Sequence, residues 1–222
     1  LLSCLVIIFY AQAAFASDAT PYFATETIAP TAIPAPPEIG SDEWNKEIEQ
    51  IIMLQKSPDA ATLKKAADER DMSPEMVTLA VDSKLTRKDF PKLYVLLDRI
   101  RATNKPITRA VKKHWNTKRP YIADARVKAL IDAHNNPAYP SGHTAGSRVW
   151  AEALVILMPD KKEALLARAE EIAQHRIVVG MHYPHDVAGG KKLAELIVAE
   201  LKKSPDFTKD LAAAKAELAA RP

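Results

Sequence analysis

The sequence predicts an all-α protein, a single helical bundle with its functional groups on helix ends and loops. Apolar residues recur at helical spacing through most of the chain beyond residue 41, as in the row Leu93, Leu96, Leu97 and Ile100. Glycine is scarce, at 6 of 222 residues, while Ala and Leu fill the periodic segments, which favours helices over strands. Helix-start and helix-stop residues punctuate the rows, and neither a hairpin signal nor an internal repeat interrupts them.

The elements follow in order. Leu1 to Tyr10 form an apolar run that ends in Ala14-Phe15-Ala16, the pattern of a secretory signal cleaved after Ala16. The first positive charge is Lys46, so the basic stretch that normally precedes such a run is missing, and an uncleaved membrane anchor is the alternative reading. Residues 17–40 read as a proline-rich linker or surface strap, with Pro21, Pro30, Pro34, Pro36 and Pro37 spaced by Ala, Thr and Glu. The folded helical domain is expected over 41–222. Ser57-Pro58 and Ser73-Pro74 each look like an N-cap followed by proline at the first helical position. Further helices are expected over 92–102, 106–115, 123–133, 144–158 (stopped by Pro159), 160–179 (ended by Gly180), 184–202 and 209–219.

A net charge of +3 and the lack of a dense basic run beside stacking aromatics leave no nucleic-acid footprint. Cys4 is the only cysteine, so a chain cleaved at Ala16 has no disulfide, thiol nucleophile or thiolate metal site. No later apolar stretch has the length of a membrane span; Ala153 to Met158 is far too short. The expected location is the periplasm or the exterior. A homo-oligomer is compatible with the sequence, which does not specify one.

Three clusters carry the chemistry. Arg176 continues an apolar seam of Leu165, Ala169 and Ile172, so its guanidinium needs an anion, either a ligand or a core carboxylate. His182 and Asp186, four apart across Pro184, can share one helix face. A carboxylate there can fix the imidazole tautomer and leave the other nitrogen as a nucleophile, or merely make a helix-start contact. His185 beside them raises a metal site, but no metal-ligand spacing such as HExxH supports it. Gly189 and Gly190 on the same helix would let a neighbouring helix come close. Pro140-Ser141-Gly142-His143 precedes an apolar helix. Its amides and the positive helix end make an anion seat, with Ser141 as a hydroxyl donor and His143 as a proton donor; the bland alternative is a turn capped by Ser141 or Thr144. Lys112 and Arg119 can add a point charge and a fork to the same anion, or lie on a solvated basic face.

The order Lys112-x6-Arg119-Pro120, Pro140-Ser141-Gly142-His143, Arg176-x5-His182-x3-Asp186 resembles the phosphatidic acid phosphatase type 2 superfamily over roughly residues 105–202. That group includes bacterial class A non-specific acid phosphatases, membrane lipid phosphatases and vanadium-dependent haloperoxidases, and the first of these fits the chain best. The resemblance implies an all-helical phosphatase acting on small phosphate monoesters, without metal or other cofactor. Lys112, Arg119, Ser141, Gly142 and Arg176 would bind the phosphoryl oxygens. His182 would form a phosphohistidine, Asp186 would orient it, and His143 would protonate the leaving alcohol. The usual Ser before the third-motif Arg is His175 here, which the helical period puts towards a polar side near Arg168 and Glu171. A lipid phosphatase, a vanadate-binding haloperoxidase and a non-catalytic anion-binding envelope protein are the alternatives.

Overall fold

A computed structural model describes residues 19–133 and 135–220, and every regular element among them is helical. The apolar opening run and the expected cleavage site at Ala16 lie outside the described residues. Helix α1 (Asp42–Leu54) starts where Ser41 accepts a hydrogen bond from the Trp44 amide, and it buries Trp44, Ile48 and Ile51. Helix α2 (Ala60–Asp68) is capped by Asp59 rather than by Ser57, and α3 (Glu75–Val81) follows Pro74 without a side-chain cap.

Two expected segments differ. Residues 92–102 and 106–115 are one helix, α4 (Pro91–Trp115), with Pro106 inside it. An internal proline removes one ladder bond at a cost of about 3 kcal/mol. Here Leu93, Leu96, Leu97 and Ile100 before it and Ile107 and Val111 after it are all buried, and that shared packing outweighs the loss. The expected helix over 123–133 is absent; only a short α5 (Pro120–Ala123) forms. Backbone groups beyond it are bonded elsewhere. The Arg126 amide donates to Asp124 Oδ1, Lys128 exchanges both backbone bonds with the Gln55 side chain, and the Leu130 amide donates to Val179 O.

The remaining helices are α6 (Gly142–Leu157), α7 (Lys162–Val178), α8 (Pro184–Leu201) and α9 (Pro205–Ala219). Helix α6 is central, packed against α7, α8 and α4, and α4 packs in turn on α9. Its face of Ala145, Val149, Trp150, Ala153 and Leu154 is buried, and Trp150 Nε1 donates to Leu97 O at 3.0 Å. Side chains of the proline-rich segment join this core: Tyr22, Ile28 and Ile33 are all buried. No helix among the described residues is long and apolar enough to cross a membrane.

The close approach of α6 and α8 sets the site. A Cβ on Gly190 would lie 2.7 Å from Ser141 O and 2.9 Å from Thr144 Cβ, and one on Gly189 would lie 2.4 Å from the Tyr139 ring. Only glycine lets the two helix starts meet this closely.

Candidate active site

The start of α8 holds the first pair. Pro184 occupies the first turn, where its missing N–H is not needed, and Asp186 sits one turn in. Asp186 Oδ2 accepts from the Tyr183 amide at 3.0 Å and from His182 Nδ1 at 2.9 Å. Both Asp186 and His182 are buried. The Asp186 carbonyl also accepts the Ser141 amide at 2.9 Å, which ties the start of α8 to the start of α6.

Arg119 faces the other side of His182. Its Nη1 lies 2.8 Å from His182 Nε2 and donates to Met181 O at 2.7 Å, while Nε and Nη2 donate to Asn136 O and Oδ1 at 3.0 and 2.5 Å. A guanidinium can only donate, so His182 Nε2 carries the lone pair and Nδ1 carries the proton given to Asp186. Lys112 Nζ donates to Pro137 O at 2.6 Å and Ala138 O at 2.7 Å. His143 Nε2 lies 2.9 Å from Glu69 O and 3.2 Å from Arg70 O, two acceptors that hold it as an N–H.

Lys112, Arg119, Gly142, His143 and His182 line one cavity of about 360 Å³, with Asp186 directly behind His182. Residues from α4, the loop after it, α6 and the α7–α8 connection therefore converge. Ser141 does not line the cavity. It is fully buried, and its Oγ accepts from the Thr144 amide at 3.3 Å and the Thr144 hydroxyl at 2.9 Å, so in this state it caps α6. Arg176 is also outside the lining. Its Nη2 donates to Ala66 O at 2.6 Å and to Glu69 Oε2 at 3.2 Å, so its anion is a core carboxylate. Its Nε and Nη1 have no hydrogen-bond partner among the described residues.

Charge states follow from burial. Burial drives the His182 imidazolium well below its ordinary range, and Arg119 and Lys112 push it the same way, so the ring stays neutral. Burial also lowers the Lys112 ammonium, helped by Arg119, to about 7. Asp186 is raised by burial to about 6, against the pull of His185 and Lys112.

A family model described as the PAP2 superfamily matches residues 100–207, the stretch that holds all of these groups except Ala66, Glu69 and Arg70. The chain is 30% identical over 198 residues to a non-specific acid phosphatase of Providencia stuartii, covering 84% of this chain and 79% of that protein. The chain belongs to the PAP2 superfamily. A non-specific acid phosphatase of Salmonella typhi is 29% identical to this PAP2 chain over 164 residues, 70% of the chain and 66% of that protein. Among solved structures, a bacterial vanadium-dependent iodoperoxidase superposes with a TM-score of 0.58 at 19% identity. That alignment covers 76% of the PAP2 chain but only 52% of the iodoperoxidase, and it speaks for the fold alone.

Two residues outside the PAP2 motifs help build the site. Asn136 orients Arg119, and nothing in its loop sequence marks it. Glu69, at the end of α2, is 3% exposed and joins Arg168 Nη2 at 2.7 Å, His175 Nδ1 at 2.8 Å and Arg176. The sequence signal for it is indirect: Arg176 on an apolar seam needs an anion, and a core carboxylate is one of the two kinds that satisfy it. His175 is consequently not on a polar side, as its helical position suggests, but 5% exposed and turned inward to Glu69.

Proposed function

We propose that the chain is an exported acid phosphatase that hydrolyses phosphate monoesters through a phosphohistidine on His182 and needs no metal. It is a phosphoric monoester hydrolase, as its non-specific acid phosphatase relatives are by name. The observation that carries the mechanism is the His182 ring, held at Nδ1 by Asp186 with its Nε2 lone pair facing Arg119 in the cavity. A neutral, oriented imidazole beside fixed cations is a nucleophile with a seat for the phosphoryl oxygens.

In the first step the Nε2–P bond forms while the ester P–O bond breaks, and the leaving oxygen takes its proton from His143. In the second, water attacks phosphorus, His143 accepts its proton, the N–P bond breaks, and inorganic phosphate leaves. Asp186 offsets the positive charge on His182 between the two steps. Lys112, Arg119 and the amide of Gly142 take the equatorial oxygens, and the two unpartnered donors of Arg176 supply further charge from behind. Ser141 would join them only if its hydroxyl turned from Thr144. Export rests on the apolar run that ends in Ala14-Phe15-Ala16.

Release of phosphate from an aryl phosphate below neutral pH, lost in His182→Ala, is the expected result. Retained turnover in that variant rules out the proposed attack. Vanadate, a mimic of five-coordinate phosphorus, should inhibit, and EDTA should not. Loss of activity in EDTA that a divalent metal restores would point to a metallophosphatase.

A further inference from the structure

The cavity that holds His182, about 360 Å³, is larger than a phosphoryl group requires, and four cations besides Lys112 and Arg119 line it. Arg101, Lys105 and Arg109 line it from α4, and Arg70 lines it from the loop between α2 and α3. The α4 residues recur every four positions, so they lie along one face of the helix that also carries Lys112. Like charges at that spacing repel and destabilise a helix unless something offsets them. Several arginines elsewhere are matched: Arg87 pairs with Asp98, Arg99 with Asp210, Arg126 with Asp124 and Arg168 with Glu69. Among the described residues Arg101, Lys105 and Arg109 have no carboxylate partner. The one acid in the lining, Asp71, is paired with Arg70 at 3.1 Å. The Lys105 ammonium is pushed down first by burial and further by the charges of Arg109 and Arg101. Arg70 also keeps a buried Nε without a partner.

We propose that this row is a second anion subsite, and that the preferred substrates are small phosphate monoesters bearing another anionic group, such as bisphosphates. This rests on the phosphatase reading for which end reacts. Lys105 stands seven residues from Lys112, about 10 Å along the helix axis at 1.5 Å per residue. The second anion therefore belongs roughly that far from the phosphorus under attack. A cavity of about 360 Å³ suits a small ligand of that length.

The test uses ligands that cannot be hydrolysed. Hexane-1,6-diphosphonate and hexylphosphonate carry carbon–phosphorus bonds and differ only in the second anion. Titration calorimetry on the wild-type chain should show the diphosphonate binding at least about tenfold more tightly at low salt, with the advantage shrinking as salt screens it. In Arg101→Gln/Lys105→Gln/Arg109→Gln, three exposed or half-buried positions, the advantage should fall below about threefold while hexylphosphonate binds as before. Equal binding of the two ligands by the wild-type chain, or an undiminished advantage in the triple variant, overturns the subsite. Turnover of an aryl phosphate reports separately on the catalytic reading. A chain that selects the diphosphonate but releases no phosphate would keep the subsite and sink the phosphatase.

Discussion

Lys112 donates to two carbonyls, yet burial and Arg119 bring its ammonium down to about 7. A lowered lysine is charged below that value and neutral above it, so the phosphate contact proposed for it should weaken as pH rises. We expect kcat/KM, which reports the free enzyme, to fall through about pH 7 on the alkaline side. On the acid side the His182–Asp186 pair takes up a proton as pH drops through about 6, where burial places the carboxyl. Activity should therefore peak between those limbs. Lys112→Arg keeps its charge at every accessible pH, so its alkaline limb should move upward even where the maximum rate is lower. A limb that stays at the same pH in that variant assigns it to another group. His143→Ala should lower kcat by about 10²–10⁴-fold for esters with poor leaving groups, and by less where the leaving oxygen needs no proton. At this scale the sequence is most legible where a charge has one use. Lys112, Arg119, His143, His182 and Asp186 converge as their order suggests. Ser141 and Arg176 had two chemically sound uses each, a cap or a phosphate donor and a core ion pair or a ligand contact. Composition and spacing do not choose between partners that only the fold brings near.

Helix boundaries show the same division between local and tertiary control. Gly189 and Gly190 announce a close helix contact, and the structure presses Tyr139 and Ser141 against them. Pro106 suggests a break that long-range packing overrides, while the apolar residues of 123–133 suggest a helix that Gln55 and Val179 undo by taking the backbone groups it needs. Neither outcome has a local signature, because the deciding partners lie far along the chain. Gly190→Ala tests how tightly the α6–α8 contact is held. The added methyl meets Ser141 O at 2.7 Å, a backbone atom that cannot rotate away, so overpacking should cost about 1–3 kcal/mol. The strain falls on the bond from the Ser141 amide to Asp186 O, which ties the start of α6, where His143 sits, to the start of α8. Both the denaturation midpoint and kcat should fall, whereas unchanged kcat with a lowered midpoint would mean the contact is structural only.

Across the whole molecule the proline-rich segment is tied to the body at points that bracket the site. Tyr22 donates its amide to Thr103 Oγ1 at 2.9 Å and its hydroxyl to Asp210 at 2.8 Å, with Arg99 stacked over its ring. Further along, Pro30 O accepts from Trp115 Nε1 at 3.2 Å and Pro34 O accepts from the Tyr139 hydroxyl at 2.5 Å. Trp115 ends the helix that carries Lys112, and Tyr139 lies next to the Pro140-Ser141-Gly142-His143 turn. The segment thus bonds to residues beside two of the three clusters, while Tyr22, Ile28 and Ile33 enter the core. Each such side chain contributes about 1.5–3 kcal/mol by its burial. A chain beginning at Ser41 should therefore unfold at a lower denaturant concentration than one beginning at Ala19, by several kcal/mol in stability. Where it remains folded, it should also lose kcat/KM, because Trp115 and Tyr139 each lose a bond that fixes them. Single replacements of Ile28 and Ile33 by Ala separate the two effects: they should lower stability by about 2–5 kcal/mol each and leave the carbonyl contacts, and with them kcat/KM, nearly intact. An equal loss of activity from those replacements would show that the segment acts on the site through core packing and not through its two carbonyls.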